Sequence, residues 1–494
     1  MSMSVEELPT KVTPFMLRAA DSMCPRRLAS ELQSEPGTTD PVNRARVRNG
    51  LLDAVRTWHE TGDWVVAPGL VAEEAAVVAQ AVRWYEHHFP DRGVEVTIPV
   101  ESPTPLSRRH LLLGGWVDLG VVHPDGTREL RQLWLRGTPA PPDPLEDPAI
   151  RLAVLRLACA GWVSGPLLVT GVDLLDGSVS HGRIEGADDL GVFAEWLDER
   201  VEVARGRADA ATAVPGRDCA TCRFVPRCPA HAVLASMLTR RDALVPGLLS
   251  LSPTSLSTWN RCARQWRDRT LLNLPESDRQ DGTSHGLLLH RLLHLVHRTG
   301  SCHDAAHVDE VLGAHQADPR TVDEVRRHAQ RCPLGAEPVG HEVEWARAFP
   351  GPPVFLATAR FDAVWAHDGI LDVRDYKSGR VAEHAIAQDP QAQLQAWVAA
   401  PQAARRGLRL QLRYEHLATE VLEDPDPWEP TDEDLAAVEE QLSGVVGTML
   451  AERDFVGVND ARVCGHCGYR SICDESAAPG QPSWPQPIPS GGEV

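Results

Sequence analysis

Apolar and polar side chains alternate along the stretch LDVRDYKSGR, residues 371–380. A period of two predicts a β-strand whose successive side chains point to opposite faces of a sheet. Asp375 and Lys377 are therefore expected to project from one face, together with Leu371 and Val373. The Ser-Gly-Arg that follows predicts the turn at which this strand ends.

A second strand is predicted directly upstream, in ATARFDAVWAHDG (residues 357–369), and it contains Asp362. The last three residues of this stretch, His-Asp-Gly, have the composition of a hairpin turn. Two adjacent antiparallel strands hold facing side chains close together. We therefore expect Asp362 and Asp375 to lie side by side.

Residues 285–297, HGLLLHRLLHLVH, are predicted to form a helix with His290, His294 and His297 on one face. Histidines at this spacing are common as ordinary surface or core residues. A second interpretation is a zinc pair of His290 with His294, although no acidic third ligand stands nearby in the sequence.

The chain also contains two long segments that resemble each other. Each segment ends with the spacing C-x2-C-x5-C, at residues 219–228 and again at 464–473. The remaining matches follow in the same order in both segments: 12–32 with 251–271, 48–55 with 284–292, 115–122 with 359–366, 129–137 with 372–380, and 147–155 with 389–397. Six matches in one order indicate a tandem duplication with a boundary near residues 240–250.

The repeat predicts how the chain is organised. We expect a flexible N-terminus at 1–11, a first domain at 12–240, a second domain at 249–475, and a disordered tail rich in proline, glycine and serine at 476–494.

Composition narrows the class of protein. With 494 residues, of which 43% are hydrophobic and 24% charged, the chain can bury real cores. No apolar run is long enough to span a membrane, and the first residues lack the apolar core of a signal peptide, so a soluble cytoplasmic protein is expected. The formal charge of −20 argues against a protein that coats nucleic acid generally, but it leaves room for a local basic channel.

Lys377, in the strand predicted at residues 371–377, is unusual because the chain has only one other lysine, Lys11. Paired carboxylates on a rigid sheet bind a hard divalent cation such as Mg²⁺ or Mn²⁺. A lysine beside them is a compact point charge, which arginine cannot imitate. Taken alone, an Asp-x-Lys on a strand is more often a solvated pair, so the assignment depends on the other motifs.

Eleven cysteines in a chain that is expected to be cytosolic favour metal or cluster ligation over disulfides. Three of them, Cys159, Cys302 and Cys332, have no partners in the repeated pattern and are expected to be ordinary buried thiols. The other eight form two sets of one distant and three clustered cysteines: Cys24, Cys219, Cys222 and Cys228, then Cys262, Cys464, Cys467 and Cys473.

Taken together, these motifs resemble the PD-(D/E)XK nuclease superfamily. The pattern H…D…D-Y-K-S-G…Q-x-x-x-W is similar to the RecB-like exonuclease branch, and the cysteines resemble its iron–sulfur variant, which includes CRISPR-associated RecB-like and AddB-type nucleases. The resemblance covers residues 249–475 directly and 12–230 as a degenerate copy. It implies an α/β fold of two tandem restriction-endonuclease-like domains, each a mixed central sheet flanked by helices with a helical cluster-binding subdomain.

The resemblance also implies roles for single residues. Asp362 and Asp375 correspond to the two metal-binding aspartates, Lys377 to the catalytic lysine, and His290 to an additional metal ligand. Gln393 corresponds to the glutamine of the motif, and Trp397 stands where tyrosine is usual, which weakens the case for a hydroxyl contact with DNA there. In addition, Glu344 is a candidate accessory acid.

The cysteine sets are expected to bind two [4Fe–4S] clusters, one per set. Zinc also accepts four cysteines and remains the alternative, although structural zinc usually shows two close pairs rather than one plus three. Either centre would fasten the C-terminal segment of a domain to its first helix.

The first copy lacks the catalytic set. Asp118 matches Asp362, but Gln132, Trp134, Ala54 and Arg151 stand at the positions of Asp375, Lys377, His290 and Gln393. One carboxylate with Gln and Trp cannot form a hard-metal site. This half is therefore expected to be inactive and to serve as a scaffold or a DNA-holding module.

Arg264, Arg267 and Trp397 are candidate contacts to DNA. The alternative is that the arginines lie on solvated helix faces and that the tryptophan is packed in a core.

The expected function is a Mg²⁺- or Mn²⁺-dependent deoxyribonuclease, by resemblance an exonuclease of DNA repair, recombination or defence. Single-stranded DNA ends are the expected substrate. No P-loop motif is present, so a helicase partner would be a separate polypeptide, and no membrane partner is expected. The rival interpretations are a non-catalytic iron–sulfur DNA-binding scaffold and a zinc-stapled adaptor.

Overall fold

The structure is a computed structural model, and it describes only part of the chain. The described residues are 10–32, 43–66, 68–92, 94–97, 104–106, 111–136, 140–163, 165–210, 212–216, 218–219, 222, 224, 228–231, 249–276, 284–333, 336–349, 351–378, 385–418, 424–473 and 475–476.

The strands, in chain order, are β1 (Thr10–Val12), β2 (Glu95–Thr97), β3 (Thr104–Leu106), β4 (Leu111–Leu113), β5 (Leu119–Val122), β6 (Arg128–Trp134), β7 (Leu167–Asp173), β8 (Val179–Ile184), β9 (Leu249–Leu251), β10 (Glu337–Phe349), β11 (Phe355–His367), β12 (Ile370–Lys377) and β13 (Arg409–His416).

The α-helices, in chain order, are α1 (Pro14–Ala19), α2 (Pro25–Leu32), α3 (Asn43–Thr61), α4 (Ala72–His88), α5 (Pro148–Cys159), α6 (Ala187–Asp209), α7 (Pro253–Arg261), α8 (Ala263–Trp266), α9 (Ser284–Thr299), α10 (Ala305–Ala314), α11 (Pro319–Arg331), α12 (Pro390–Arg406), α13 (Asp432–Ala451) and α14 (Ala461–Gly465).

The chain divides into two compact units, and each is built from more than one stretch of sequence. Unit 1 consists of residues 1–214, 262–279 and 456–494, and unit 2 of residues 215–261 and 280–455. The two segments that carry the second cysteine set, 262–279 near the start of the second repeat and 456–494 at its end, therefore belong to unit 1.

The sheet of unit 2 has the order β10-β11-β12-β13, and β9 also pairs with β11. The predicted hairpin is present, because β11 and β12 pair antiparallel and are joined by Asp368 and Gly369 at φ of 48° and 73°. Positive φ at both central residues is typical of the Asp-Gly turns that match strand twist. From β12 the chain passes through α12 and returns as β13, which pairs parallel to β12.

Helix α12 has clear end signals in the sequence. The Asp389 side chain accepts a hydrogen bond from Gln391 N, Pro390 is the first helical residue, and Gly407 ends the helix at φ 66°. Its buried side, which includes Leu394 and Trp397, covers the sheet.

Helix α9 packs against strands β11 and β12 of the same sheet. Its leucines recur at spacings of three and four residues, and they share one hydrophobic core with strands β11 and β12: Leu289, Leu292, Leu293 and Val296 with Ala363, Trp365 and Tyr376. Each fully buried leucine contributes roughly 2 kcal/mol to this packing. The predicted helix at 285–297 thus forms, and its core face fixes where its histidines point.

Unit 1 has a sheet of order β2-β5-β6-β7-β8 and a small sheet of order β1-β4-β3. In the larger sheet β5 and β6 pair antiparallel, α5 follows, and β7 pairs parallel to β6. Helices α3 and α4 form its main core, to which Leu274 and Tyr469 from the two later segments also belong.

The predicted mixed α/β class is confirmed, since the described residues form mixed sheets flanked by helices. That these are two tandem restriction-endonuclease-like domains stays a prediction. The predicted flexible N-terminus and disordered tail fall mostly on residues 1–9 and 477–494, outside the described residues, while Thr10 and Lys11 pair with β4. Among the described helices, none combines the length and apolarity needed to cross a membrane.

Candidate active site and metal-binding groups

The register of the β11–β12 hairpin brings the two predicted aspartates together. Ala363 pairs with Arg374, so the next step of the ladder places Asp362 opposite Asp375. Facing residues of an antiparallel pair share one face of the sheet. The ladder ends here, and the Tyr376 N–H donates instead to Asp362 Oδ2 at 2.6 Å. This backbone bond fixes the first carboxylate.

His290 reaches the same carboxylate from α9. Its Nδ1 lies 3.0 Å from Asp362 Oδ1, and its Nε2 lies 3.2 Å from the Tyr376 carbonyl oxygen. Both ring nitrogens face acceptors, an arrangement that suits the doubly protonated ring. Burial opposes the charge, but the hydrogen bond with Asp362 and the nearby charges of Asp362, Asp375 and Glu342 outweigh it and raise the pKa of His290.

Glu342 is the site residue that the sequence did not reveal. On β10, His341 pairs with Ala363 and Val343 with Phe361, so Glu342 lies opposite Asp362. Its φ of 55° is unusual for a residue other than glycine, and the Arg360 guanidinium donates to its carboxylate. Ligand atoms of His290, Glu342 and Asp362 all lie within 4.8 Å of one another.

The candidate accessory acid was Glu344, two residues further along β10. The structure pairs Glu344 with Arg360 rather than with Asp362. The sequence HEVEW offers an acid at either position. Only the strand register, which depends on an irregularity between Pro338 and Gly340, decides which one faces the site.

Lys377 is held beside the second carboxylate. Its Nζ lies 2.6 Å from Asp375 Oδ2, 3.4 Å from Gln391 Oε1 and 4.4 Å from the centre of the Tyr414 ring. A cation over an aromatic face is attracted by the electron density of the ring. The lysine therefore has a defined position on the face that carries both aspartates.

Two glutamines of α12 complete this network. Gln391 Nε2 donates to Asp375 Oδ1 at 2.8 Å, and Gln395 Nε2 donates to the same oxygen at 3.1 Å. They stand four residues apart and thus one above the other on the helix. Gln393, which the sequence suggested, instead donates to the Ala387 carbonyl oxygen at 2.9 Å. The spacing of the glutamines in QAQLQAW, residues 391–397, is the sequence signal that distinguishes them. On a helix, Gln391 and Gln395 lie on one side, and Gln393 lies on another.

Trp397 lies in the core of unit 2, with 1% of its surface exposed. Its Nε1 donates to Glu439 at 2.8 Å, and the Arg347 guanidinium stacks 3.9 Å from its ring centre. A side chain so enclosed cannot stack on a base, so Trp397 is not a DNA contact in this structure.

The carboxylates of this site crowd one another. Burial and the charge of Asp375 raise the pKa of Asp362, although His290 opposes the rise. Burial and the charge of Asp362 likewise raise the pKa of Glu342. Negative charges that repel one another in a half-buried place fit a divalent cation, and the oxygen and imidazole donors are of the type that Mg²⁺ or Mn²⁺ accepts.

The second cysteine set converges within unit 1. Cys262, Cys464, Cys467 and Cys473 line one pocket. Cys262 Sγ accepts a hydrogen bond from Gln265 N at 3.5 Å, and burial raises the pKa of Cys467 to about 11. Four cysteines around one space, of which Cys262 and Cys464 are buried and Cys467 and Cys473 partly buried, fit an all-cysteine centre, either [4Fe–4S] or zinc.

Arg264 and Arg267, the candidate DNA contacts, lie next to this pocket but are already paired. Both donate to Glu73 Oε1, at 2.8 and 2.5 Å, and Arg267 also contacts Asp268 at 2.8 Å. Their guanidinium charge is therefore largely compensated, which weakens their case as phosphate contacts.

The first cysteine set is divided between the units, with Cys24 in unit 1 and Cys219, Cys222 and Cys228 in unit 2. Within unit 2, His231 Nε2 lies 3.3 Å from Cys219 Sγ. A four-cysteine centre here stays a prediction.

The remaining cysteines differ from expectation. Cys159 is exposed, because it is the last residue of α5, so the prediction that it is buried was wrong. Cys302 and Cys332 are buried as predicted, but they are not isolated, since both lie beside His297 and His328.

Asp118, the matching aspartate of the first repeat, is fully buried among different partners. The Arg48 guanidinium and the Gln132 amide both contact its carboxylate, and Leu133 N donates to Oδ2 at 2.8 Å. Of the other substituted positions, Ala54 and Trp134 are core residues. Arg151 stacks on Phe193, 5.4 Å from the ring centre.

The chain resembles a known protein family over one part of its length. No curated protein matches the chain. Nine chains of solved structures match; one of them, "Crystal structure of SSO0001", is 16% identical, with 50% of this chain and 96% of that chain covered and a TM-score of 0.23, too low to support an argument. The sequence profile of the PD-(D/E)XK nuclease superfamily matches residues 250–474. Residues 250–474 thus form a PD-(D/E)XK nuclease superfamily domain.

Proposed function

We propose that the protein is a metal-dependent deoxyribonuclease whose active site is formed by His290, Glu342, Asp362, Asp375 and Lys377. The observation that carries the proposal is the position of Asp362 opposite Asp375, with the Lys377 ammonium 2.6 Å from Asp375. Superfamily membership of residues 250–474 supports a nuclease-type reaction.

Each group has a definable part in phosphodiester hydrolysis. Asp362, Glu342 and His290, with Asp375 beside them, would hold a divalent cation, which supplies Lewis-acid polarisation of a phosphate and activation of water. Lys377 places a fixed positive charge where negative charge develops on the phosphate. Gln391 and Gln395 hold the Asp375 carboxylate in one orientation, so the lysine and the acid keep their relative positions.

The finer features follow from the sequence pattern and are part of the proposal. The enzyme is a RecB-like exonuclease acting on single-stranded DNA ends in repair, recombination or defence, together with a separate helicase or partner protein. The pocket of Cys262, Cys464, Cys467 and Cys473 binds a [4Fe–4S] cluster, as does the set that begins at Cys24. The first repeat is a degenerate copy that acts as a scaffold, since the partly buried Arg48 contacts its Asp118.

An anaerobic nuclease assay tests the catalytic part. End-labelled single- and double-stranded DNA is incubated with Mg²⁺ or Mn²⁺ and with wild type, Asp375→Ala or Lys377→Ala. Asp368→Asn, a change at the 92% exposed carboxylate of the hairpin turn, is the matched control. Cleavage by wild type and control alone supports the proposal, and the ladder of products separates exonuclease from endonuclease action. Intact DNA with wild-type protein whose clusters are filled would mean a non-catalytic binding scaffold.

The colour of the purified protein tests the cluster. A [4Fe–4S] protein is brown and contains iron and sulfide, whereas a zinc protein is colourless. Cys467→Ser should bleach the absorbance of the second-set cluster, and an unchanged colour would contradict its assignment.

A further inference from the structure

A second group of metal-binding side chains lies in unit 2, apart from the proposed active site. His297 stands near the end of α9, Cys302 follows in the next loop, His328 lies in α11, and Cys332 directly follows that helix. One ligand atom from each of the four lies within 4.8 Å of all the others. Their spacing is H-x4-C and H-x3-C, two close pairs brought together by folding.

The contacts within this Cys2His2 group are those of ligands around a common centre. His297 Nε2 and His328 Nε2 lie 2.7 Å apart, so one proton is shared between two nitrogens. The sulfurs of Cys302 and Cys332 lie within 4.8 Å of each other and of one ring nitrogen of each histidine. A cation placed between the four would replace these protons and satisfy all four ligand atoms at once.

The group is also buried as a metal centre would be. Cys302, His328 and Cys332 have at most 6% of their surface exposed. His341 stacks on the His297 ring, with centroids 4.0 Å apart and planes 9° from parallel. The cluster contains no carboxylate ligand, which disfavours Mg²⁺ or Ca²⁺, while two thiolates and two imidazoles are a usual zinc donor set.

The Glu415 carboxylate lies beside the group and orients the ring of His328. Glu415 Oε1 lies 2.7 Å from His328 Nδ1, and Glu415 Oε2 lies 3.1 Å from Arg374 Nη1. When Nδ1–H donates to this carboxylate, Nε2 is left for the centre of the cluster. Histidines that bind metals commonly have such a carboxylate partner, which sets the tautomer and increases ligand basicity.

We propose that His297, Cys302, His328 and Cys332 bind one Zn²⁺ in a tetrahedral structural site, with Glu415 as the partner of His328. The site joins the end of α9 to α11 and, through Glu415, to strand β13. His290 stands two turns before His297 on α9, so zinc fixes the end of the helix that presents His290 to Asp362. This positioning role rests on the proposed nuclease function, but zinc binding itself does not.

The first experiment measures metals in the purified full-length chain. Zinc and iron are quantified by mass spectrometry, and X-ray absorption at the zinc edge reports the ligands. We expect one zinc per chain with two sulfur and two nitrogen neighbours. A zinc bound at the four-cysteine pocket would show four sulfur neighbours, so that spectrum, or protein without zinc after expression in zinc-containing medium, would overturn the proposal.

Variants assign the site. The double change Cys302→Ser with Cys332→Ser should remove the zinc and leave the iron content unchanged, whereas Cys159→Ser and His303→Ala, at two exposed residues, should retain the zinc. Glu415→Gln should weaken zinc binding about tenfold. If the double variant retains its zinc, the assignment is wrong. If it fails to fold, the spectrum of the wild type still decides between the two ligand sets.

Asp375→Ala separates this inference from the nuclease proposal, because it should abolish cleavage and keep the zinc. If zinc positions His290, Glu415→Gln should have low nuclease activity when zinc is limiting. The same variant should recover its nuclease activity when it is assayed at saturating zinc. A failure of wild type to cleave DNA would leave the zinc measurement valid by itself.

Discussion

Asp118 in the first repeat and Asp362 in the second occupy the same place in their own sheets. Each stands one step beyond the last ladder pair of an antiparallel hairpin, Leu119 with Arg131 in one case and Ala363 with Arg374 in the other. Each also accepts a backbone N–H, at 2.8 Å from Leu133 and at 2.6 Å from Tyr376. The local backbone architecture around the aspartate is therefore the same.

Each of the two sites also has a buried ion pair, on the second strand of its hairpin. Arg131 Nε donates to Glu129 at 3.0 Å, and Arg374 Nε donates to Asp372 at 2.9 Å, two residues away on the same strand in both cases. A buried charge left without its partner is costly, so such pairs tend to persist once a fold contains them.

The difference lies in the charge that surrounds the aspartate. Asp362 lies with Glu342 and Asp375, a surplus of negative charge that invites an external cation. Asp118 has an internal cation, because Arg48 contacts it while also stacking on Trp116 at 4.2 Å. The same local backbone therefore carries carboxylates that repel one another in one sheet and a carboxylate neutralised by an arginine of the protein in the other. The comparison teaches that this backbone arrangement does not depend on which charges surround the aspartate.

The largest effect is expected from removing the charges of the second site. Asp375→Ala or Lys377→Ala should lower the rate of DNA cleavage by roughly 10²–10³-fold, the loss typical when a group that stabilises transition-state charge is removed. The assay uses end-labelled DNA with Mg²⁺ or Mn²⁺. Retention of more than a tenth of the rate in both variants would contradict the assigned site.

The second prediction concerns stability rather than activity. Asp118→Asn leaves the partly buried Arg48 without its counter-charge and should lower the free energy of unfolding by about 3 kcal/mol. Asp362→Asn removes one of several mutually repelling carboxylates and should cost clearly less. Urea unfolding in a chelating buffer, followed by tryptophan fluorescence, measures both.

Asp53→Asn is the control for this stability measurement. Asp53 pairs with Arg56 at 2.7 Å on an exposed part of α3, so its loss should cost under about 1 kcal/mol. Equal losses for Asp118→Asn and Asp362→Asn would remove the contrast between the two sites.

The third prediction uses the helical phase of α12. Gln391→Ala removes a hydrogen bond to the Asp375 carboxylate, which is worth about 1.5 kcal/mol, and should slow cleavage about tenfold. Gln393→Ala, two residues along the same helix, should leave the rate within about twofold. The reverse order of effects would favour the glutamine that the sequence motif indicated.

The smallest effect is the contribution of the second site to the pH dependence of stability. The pKa of His290 is raised in the folded protein, so its stabilising contribution is complete below about pH 6.5 and lost as the pH rises through the folded value. The raised pKa values of Asp362 and Glu342 act in the same direction, because the folded state also releases these protons later than the unfolded state does. Metal-free protein should therefore lose stability as the pH rises.

His290→Gln should reduce the slope of this profile above about pH 6.5. Part of the slope should remain, because, against the effect of burial, the charge of Glu415 raises the pKa of His328 to about 9. Burial lowers the pKa of Arg48 only to about 10, so Arg48 keeps its charge across neutral pH and should contribute no slope there. Unfolding free energies at several pH values between about 6 and 9, in chelator, would test this. A slope equal to that of wild type in the His290→Gln variant would contradict the contribution of His290.

Much of the β11–β12 strand pair and its candidate site is determined by the sequence alone. The period-two pattern, the Asp-Gly turn and the apolar stripe of α9 are local signals, and local signals fix which face a side chain takes within its own element. Asp362, Asp375, Lys377 and His290 therefore come together as the sequence predicts. The cysteines at 464–473 also converge with Cys262, because three of the four ligands are neighbours in the chain.

The remaining features are decided by the tertiary structure, because they depend on the phase of one element against another. Glu342 rather than Glu344 faces Asp362 owing to the strand register, and Gln391 and Gln395 rather than Gln393 face Asp375 owing to the rotation of α12. Cys302 and Cys332 each appear solitary in the sequence and acquire partners only when α9 and α11 pack together. Register and packing are set by long-range burial, which no short motif records.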